Sequence, residues 1–447
     1  MMSIYFHPDI QIPEIPFTRF ISPILYDIIY PTQTHKPAHT YGGTEHMIID
    51  KWKRLSFYWK SVLIFSAFVL LSLLLSRIPS FCDFYTDHIF PLGLQTYGRI
   101  TGLFPFSAGE ILIAVSGVLV LLQIVLVLLL LAFHPKKRRW KTATLEKTAD
   151  AFPAFVIRYS KCMLAFVLLV IWIMTANCAT LYNCSKLAAG DSRDTTYSFE
   201  EIREVRNMIV EQCNALSTKM KRDANGNVVT DGNINEKIKS AMRGLSAEYP
   251  RLSGYYPTPK PVLGSFFMYQ AGYDGVYFPF SLEANYNTYI SDIRYPHVAC
   301  HELAHLKGYI YEDEADFIAY LACVGSDDEQ LQYAGYLGVL HYIDSDYRNS
   351  AAIQQTTSEG TFSNGTSSGE IPLPSVPAVE ISDLVHNDSG SYTAETKKEL
   401  STMPELIDTE TVASVSKGFT DAYMDYYGAE PNYAEVTKLL LAYYHTT

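Results

Sequence analysis

The sequence predicts a mostly helical protein, with three transmembrane helices followed by an extracytoplasmic α+β domain dominated by helices and carrying a small sheet. Three observations predict it. Three long apolar runs lie in the first 185 residues. Charge divides between the halves: residues 1–184 hold 16 basic and 10 acidic residues, and residues 185–447 hold 19 and 37. The second half shows amphipathic helical periodicity, interrupted by a Gly-, Pro- and aromatic-rich stretch at 254–287. At 447 residues the chain exceeds one ordinary domain. The net charge of −12 and the acidic second half argue against a nucleic-acid partner, which needs a basic surface. A hydrophobic share of 48% excludes a mostly disordered chain. Seven cysteines, none in a CxxC pair, make neither a disulfide framework nor a thiolate zinc ribbon.

The apolar runs are 61–76, 111–133 and 162–185. A helix needs about 20 apolar residues to cross the hydrocarbon core. The second and third runs meet this. Phe57, Tyr58 and Trp59 extend the first, and Lys60 and Arg77 can snorkel from its ends. The spans are therefore expected at about 56–77, 111–133 and 162–184, a three-helix anchor within 55–185. Lys51, Lys53, Arg54 and Lys60 surround the start of the first run, and the 134–161 linker holds eight Lys and Arg. The loop between the first two runs holds only Arg77 and Arg99. Basic flanks stay inside, so the N-terminus is expected in the cytoplasm and everything after about residue 186 outside. The expected location is the cell membrane, multi-pass, with the lipid bilayer as partner.

Residues 1–54 form the expected cytoplasmic segment. Residues 1–46 show no cleavable signal pattern, and Met47 stands just ahead of KWKRL, where a first-span protein would naturally begin. Two readings follow, a translation start at Met47 or a cytoplasmic tail.

In the second half, residues 198–216 read as a helix with a Ser198/Glu201 capping box and an apolar face of Ile202, Val205, Met208, Ile209 and Leu216. Residues 234–246, 291–307, 312–324 and 328–343 read as further helices, and GVYFPF (275–280) as a strand. Residues 350–402 are Ser/Thr/Gly/Pro-rich without periodicity and read as a flexible insertion. Residues 404–427 and 432–444 read as helices again. The outer part thus divides into a site-bearing domain at 186–349, the insertion, and C-terminal helices at 403–447 that pack on the domain.

The chemistry lies in YPHVACHELAHLKGYIYEDEADFIAYLAC, residues 295–323. His301, Glu302 and His305 make an HExxH motif. On a helix, i and i+4 share a face, so both imidazoles can reach one zinc ion. The glutamate beside the first histidine then faces the metal-bound water and can take its proton. Pro296 suits the first turn of that helix and Gly308 its end. A catalytic zinc needs a third protein ligand and an open fourth position. Glu312 can supply the ligand, and Asp316, one turn on, can accept the other ring N–H of His301. Asp313 or Glu314 are alternative ligands, and a merely solvated acidic helix start is a further reading. A third-histidine site is disfavoured because Tyr311 stands at the HxxGxxH position. His297, Cys300 and Cys323 read as structural.

HExxH followed by ExxxD resembles the gluzincins, the thermolysin-like zinc metallopeptidases, and EDEADFIAYLAC resembles the E-x-E-A-D helix of their integral-membrane members. GLFPFSAGEIL (102–112), PKPVL (259–263), GVYFPFSLEANYNT (275–288) and YAEVTKLLLAYY (433–444) resemble an uncharacterised bacterial domain-of-unknown-function family of three-span proteins with a zinc-peptidase-like outer domain. The resemblance covers about residues 47–447 without the 350–402 stretch. It implies a zincin-like fold, Zn2+ held by His301, His305 and Glu312, Glu302 as general base, and Asp316 as the carboxylate behind His301. Only six residues separate His305 from Glu312, far fewer than in thermolysin-like enzymes, so the third ligand stays open at this point.

The expected function is a membrane-anchored zinc metallopeptidase cutting a peptide or protein at the cell envelope. The alternative is a non-catalytic, zinc-containing binding or sensor protein; a transporter is disfavoured, since Glu110 alone at a span edge offers no conduction path. Tyr336, His341 and Tyr342 are candidate oxyanion donors, and GVYFPFSLEANYN is either a peptide-pairing edge strand or a core strand. An intact mass of the purified protein separates the two N-terminal readings: a mass lacking residues 1–46 is expected, and one including them rejects the Met47 start.

Overall fold

The computed structural model describes residues 52–133, 143–187, 196–230, 232–362, 377–403 and 434–446. The first 46 residues and the expected helix at 404–427 lie outside these. The chain divides into a unit ending at Leu71 and a unit of Ser72–Thr447. In the first, helix α1 (Phe57–Leu75) begins and exposes Phe57, Ile64 and Leu70.

Helices α2 (Ala108–Phe133) and α3 (Ala143–Met174) lie side by side in the second unit. With α1 they make three helices long and apolar enough to cross a membrane, over Phe57–Leu75, Ala108–Ala132 and Ala151–Tyr182. Among apolar surfaces the hydrophobic effect gives helices no reason to associate, so polar contacts do more. Gln123 Nε2 donates to Ser160 Oγ (2.9 Å), and the Tyr159 hydroxyl donates to the Leu119 carbonyl (2.8 Å). Helix α3 starts well before the apolar run because residues 143–161 mix charge with helix formers. At its far end it widens into a π-turn, Thr175–Ala179, and a last turn, Thr180–Tyr182.

Helix α4 (Phe199–Ser217) starts with the expected capping box, Ser198 and Glu201 satisfying each other's backbone N–H. Helix α5 is Ile234–Gly244. The sheet has three strands, β1 (Lys260–Val262), β2 (Gly275–Phe278) and β3 (Glu283–Asn287), in the order β1-β3-β2. β3 pairs in parallel with β1 and antiparallel with β2, with Val276 opposite Asn285. β2 stops where Pro279 removes a donor from the ladder. Helices α6 (Tyr295–His305), α7 (Glu312–Val324) and α8 (Glu329–Phe362) follow, and α9 (Ala434–Thr446) closes the chain. One apolar core joins α5, α6, α7, the sheet and the end of α3; a second joins α4, α7, α8 and α9.

In the stretch expected to be a flexible insertion, the described residues 350–362 and 377–402 are more ordered than their composition implies. α8 runs on to Phe362, and short helices form at Asp383–Asp388 and Ala394–Thr402. Asn207 and Asn214 are the reason for the second part. Their side chains hold the backbone at Pro377, Val379, Glu380 and Ser382 as a strand partner would, and Val385 is fully buried beneath.

Glu283 ties the sheet to α2. Its carboxylate pairs with buried Lys260 and accepts the N–H groups of Ala108 (3.3 Å) and Gly109 (2.9 Å) and the Ser281 hydroxyl (2.7 Å). Lys260 Nζ also donates to the Thr101 carbonyl (2.7 Å). A carboxylate at a helix N-terminus meets both free donors and the positive end of the dipole. Removing one partner of a buried pair costs about 3–5 kcal/mol. Glu283→Ala is therefore expected to lower the thermal unfolding midpoint of the detergent-solubilised protein sharply, and Lys260→Met with Glu283→Leu together to lower it less; equal losses would show that the pair is not coupled.

Candidate metal centre

Helix α6 carries Pro296 in its first turn and ends at His305. Gly308 takes φ +90° there, and the Tyr309 N–H reaches back to the Ala304 carbonyl (3.2 Å), which closes the helix end. A side chain at 308 would also strike Thr86. The chain therefore reverses within a few residues, and α7 starts at Glu312 with three acidic residues in its first turn. Negative charge is favoured at that dipole end. The short spacing between His305 and Glu312 thus suffices to place Glu312 against both histidines.

The nitrogen and oxygen atoms that His301, His305 and Glu312 offer lie within 4.8 Å of one another. His301 Nε2 is 3.0 Å from Glu312 Oε2 and His305 Nε2 is 3.8 Å from the same oxygen. The other ring nitrogens are held from behind. His301 Nδ1 lies 2.7 Å from Asp316 Oδ1, and His305 Nδ1 lies 2.8 Å from the Tyr309 carbonyl. With each Nδ1 occupied in this way, both Nε2 atoms and one carboxylate oxygen point at the same place, where Nε2 either carries a proton shared with Glu312 or, in the neutral ring, offers a lone pair. Two imidazoles with one carboxylate are a donor set that could hold a divalent metal. Burial opposes charge here, yet Asp316 and Glu312 outweigh it and hold the His301 imidazole well above its usual pKa. Burial likewise opposes ionisation of Glu312, but hydrogen bonds from His301 and His305 hold its carboxyl well below the usual range.

Asp316 is a hub. Besides His301 it meets His297 Nε2 (3.3 Å) and accepts the Tyr342 hydroxyl (2.7 Å). Glu302 lines the same cleft as these side chains. It is 5% exposed, its Oε2 has no hydrogen-bond partner, and burial pushes its carboxyl up to about 7 against the pull of His305 and His301. β2 passes beside it. A Cβ at Gly275 would collide with Glu302 Oε1, so only glycine lets the strand approach so closely. The cleft encloses about 370 Å³, with β2 and the segment before it on one side and α6 on the other. Cys178 and Tyr182, at the end of α3, line it as well. Asn177 fixes that end, donating to the Pro279 carbonyl (2.8 Å) and accepting the Tyr277 hydroxyl on its own carbonyl (3.1 Å).

Residues 85–368 match the family described as protein of unknown function (DUF3810). The chain belongs to that family. The match runs from the segment before α2 through the whole centre to the end of α8, in agreement with the resemblance of the sequence to a domain-of-unknown-function family. Neither curated proteins nor solved structures give a match.

The structure brings together His301, His305, Glu312 and Asp316, with Glu302 beside them. Glu314 turns away, accepting the Leu187 N–H (2.6 Å), and Asp313 is buried outside the group. Of the candidate oxyanion donors, Tyr342 lines the cleft, while Tyr336 packs on Tyr320 and His341 stacks on Tyr342. Gly275, Asn177, Tyr182 and Arg294 escaped sequence reading; the only local signal was a glycine opening a strand-like run. Because a residue with a side chain at φ +90° costs roughly 1–2 kcal/mol before any clash with Thr86, Gly308→Ala is expected to destabilise the protein by at least about that amount in thermal unfolding. An unchanged midpoint would show that the reversal does not depend on glycine.

Proposed function

We propose that the protein is a membrane-anchored zinc-dependent metallopeptidase, with His301, His305 and Glu312 holding Zn2+ and the site on the outer face that the basic flanks predict. The observation that carries the reading is the buried Glu302 carboxylate, turned into the cleft beside three converging acceptor atoms with one oxygen unpartnered. A structural metal site needs the histidines and Glu312 but has no use for such a group.

When bound, zinc supplies Lewis-acid chemistry, polarising a carbonyl and acidifying water. The chain's own residues do the rest. Glu302 takes a proton from the attacking water and, with its pKa raised toward neutrality by burial, can return it to the leaving amine. Asp316 and the Tyr309 carbonyl fix the ring orientation of His301 and His305. Tyr342 holds Asp316 in place. β2 is an edge strand of the sheet and runs along the cleft, a suitable partner for an extended peptide.

Metal analysis of the full chain in detergent is expected to give about one zinc per molecule, lost in His301→Ala. Glu302→Gln should keep the zinc and lose about 10²–10⁴-fold in hydrolysis of a quenched fluorescent peptide mixture. Zinc retained with hydrolysis unchanged would reject Glu302 as base; zinc present with no hydrolysis by any form would favour the binding or sensor reading. Asp316→Asn is expected to weaken zinc binding about 10–100-fold in a competition titration with a chelator.

A further inference from the structure

Between α1 and α2 the chain makes the helix Phe90–Thr101. One face is buried, through Phe90, Leu94, Gly98 and Thr101. That face sits on the turn before β3: Gly93 and Gly98 approach Leu282, and the Thr101 hydroxyl donates to the Ser281 carbonyl (2.9 Å). At 3.6 residues per turn the opposite stripe holds Leu92, Thr96, Arg99 and, just past the helix end, Leu103, with Ile89 and Ile100 along one edge. Leu92 is 60% exposed, Ile100 57% and Leu103 82%. Of the polar groups in that stripe, the Thr96 hydroxyl is turned back onto the Leu92 carbonyl (2.7 Å) and the Arg99 guanidinium lies over the Tyr255 ring. A helix at a protein–water boundary carries mostly polar residues on its outer face, whereas this one sets three large, mostly exposed aliphatic side chains there beside Thr96 and Arg99.

What covers the outer face follows from its attachments. The helix ends at Thr101, whose carbonyl accepts from Lys260, and the same Lys260–Glu283 pair holds the first turn of α2. The preceding segment is clamped to the end of α3, where Asp83 accepts the Ser185 N–H (2.8 Å) and hydroxyl (2.7 Å). The face is therefore fixed at the domain-side ends of two helices apolar enough to span a membrane. A second exposed apolar group stands at the same level: Leu263, whose N–H donates to Glu110 in the first turn of α2 (2.8 Å), and Phe267. Arg99, within the outer stripe, is drawn over the Tyr255 ring (4.4 Å), which leaves the neighbouring aliphatic side chains as the exposed surface; a cation beside such side chains suits a headgroup boundary.

We infer that Leu92, Ile100 and Leu103 insert into the lipid leaflet on the domain side, so that Phe90–Thr101 lies in the membrane plane and the cleft opens at the bilayer surface. Such a helix binds in proportion to the apolar area it buries at the headgroup–acyl boundary. The cleft wall formed by Cys178 and Tyr182, the last residues of the third span, then faces the headgroups. A consequence that rests on the peptidase reading is a restriction of substrate: the site takes polypeptide segments emerging from, or anchored by an acyl chain in, that leaflet.

The test uses the full chain with its four tryptophans, Trp52, Trp59, Trp140 and Trp172, changed to phenylalanine, in phosphatidylcholine vesicles brominated along the acyl chains. Single reporters are placed by Leu92→Trp and Leu103→Trp, with Val118→Trp in α2 as the lipid-facing reference and Val229→Trp in the domain as the aqueous one. Quenching at 92 and 103 close to that of Val118→Trp is expected. Quenching no greater than at Val229→Trp overturns the inference, as does protection of both reporters by self-association of the chain. For the substrate, the Leu92→Ser/Ile100→Ser/Leu103→Ser form is expected to keep its zinc content and its rate on a soluble quenched peptide, and to fall several-fold in kcat/KM on the same peptide carrying an acyl chain in the vesicles. Equal losses on both peptides reject the substrate restriction; no hydrolysis of either by the unsubstituted chain rejects the peptidase reading and leaves the lipid contact to the quenching result.

Discussion

The buried Glu283–Lys260 pair is the constraint on which the rest depends. Ionised groups are costly away from water unless every oxygen and proton finds a partner. Glu283 finds its partners in the first turn of α2, in Ser281 and in Lys260, and Lys260 adds the Thr101 carbonyl. One carboxylate therefore fixes the sheet to α2 and to the helix Phe90–Thr101 before it. β3 begins at this residue and β2 pairs with β3. β2 in turn brings Gly275 against Glu302. The strand that lies against Glu302 is thus tied, through β3, to the first turn of α2.

The centre itself is a problem of charge. Two imidazole nitrogens and a carboxylate oxygen meet, while Asp316 and the Tyr309 carbonyl occupy the positions that could otherwise relieve them. Each ring is held in a single orientation by the acceptor behind it. Tyr342, from α8, then fixes Asp316, so three consecutive helices contribute to one arrangement. The carboxylate of Glu302 belongs to the same helix as the histidines but is left outside their hydrogen bonds, buried in the wall of the cleft.

Much of this was legible in the sequence where the signal was local. The three apolar runs mark the three long helices, and Ser198 with Glu201 marks the start of α4 to the residue. The HExxH spacing and the ExxxD pair name the residues that the fold brings together, and Gly308 explains how a linker of six residues is long enough. Non-local features were not legible. Lys260 and Glu283 pair across strands whose composition resembles a loop, and the order at 377–402 depends on Asn207 and Asn214, over 160 residues away in sequence. The participation of Tyr182 depends on a π-turn that no composition announces.

The reversal at Gly308 has a consequence for assembly. All of the converging groups and the carboxylate that orients them lie within residues 301–316. The entropy of closing a loop grows with its length, and contacts between distant segments form late. A centre built from one helical hairpin therefore closes only a short loop, so its geometry is a local property of that hairpin that the larger fold buries and adjusts. One residue added inside α7, between Glu312 and Asp316, would by contrast turn Asp316 by about 100° relative to Glu312 and take it from behind His301.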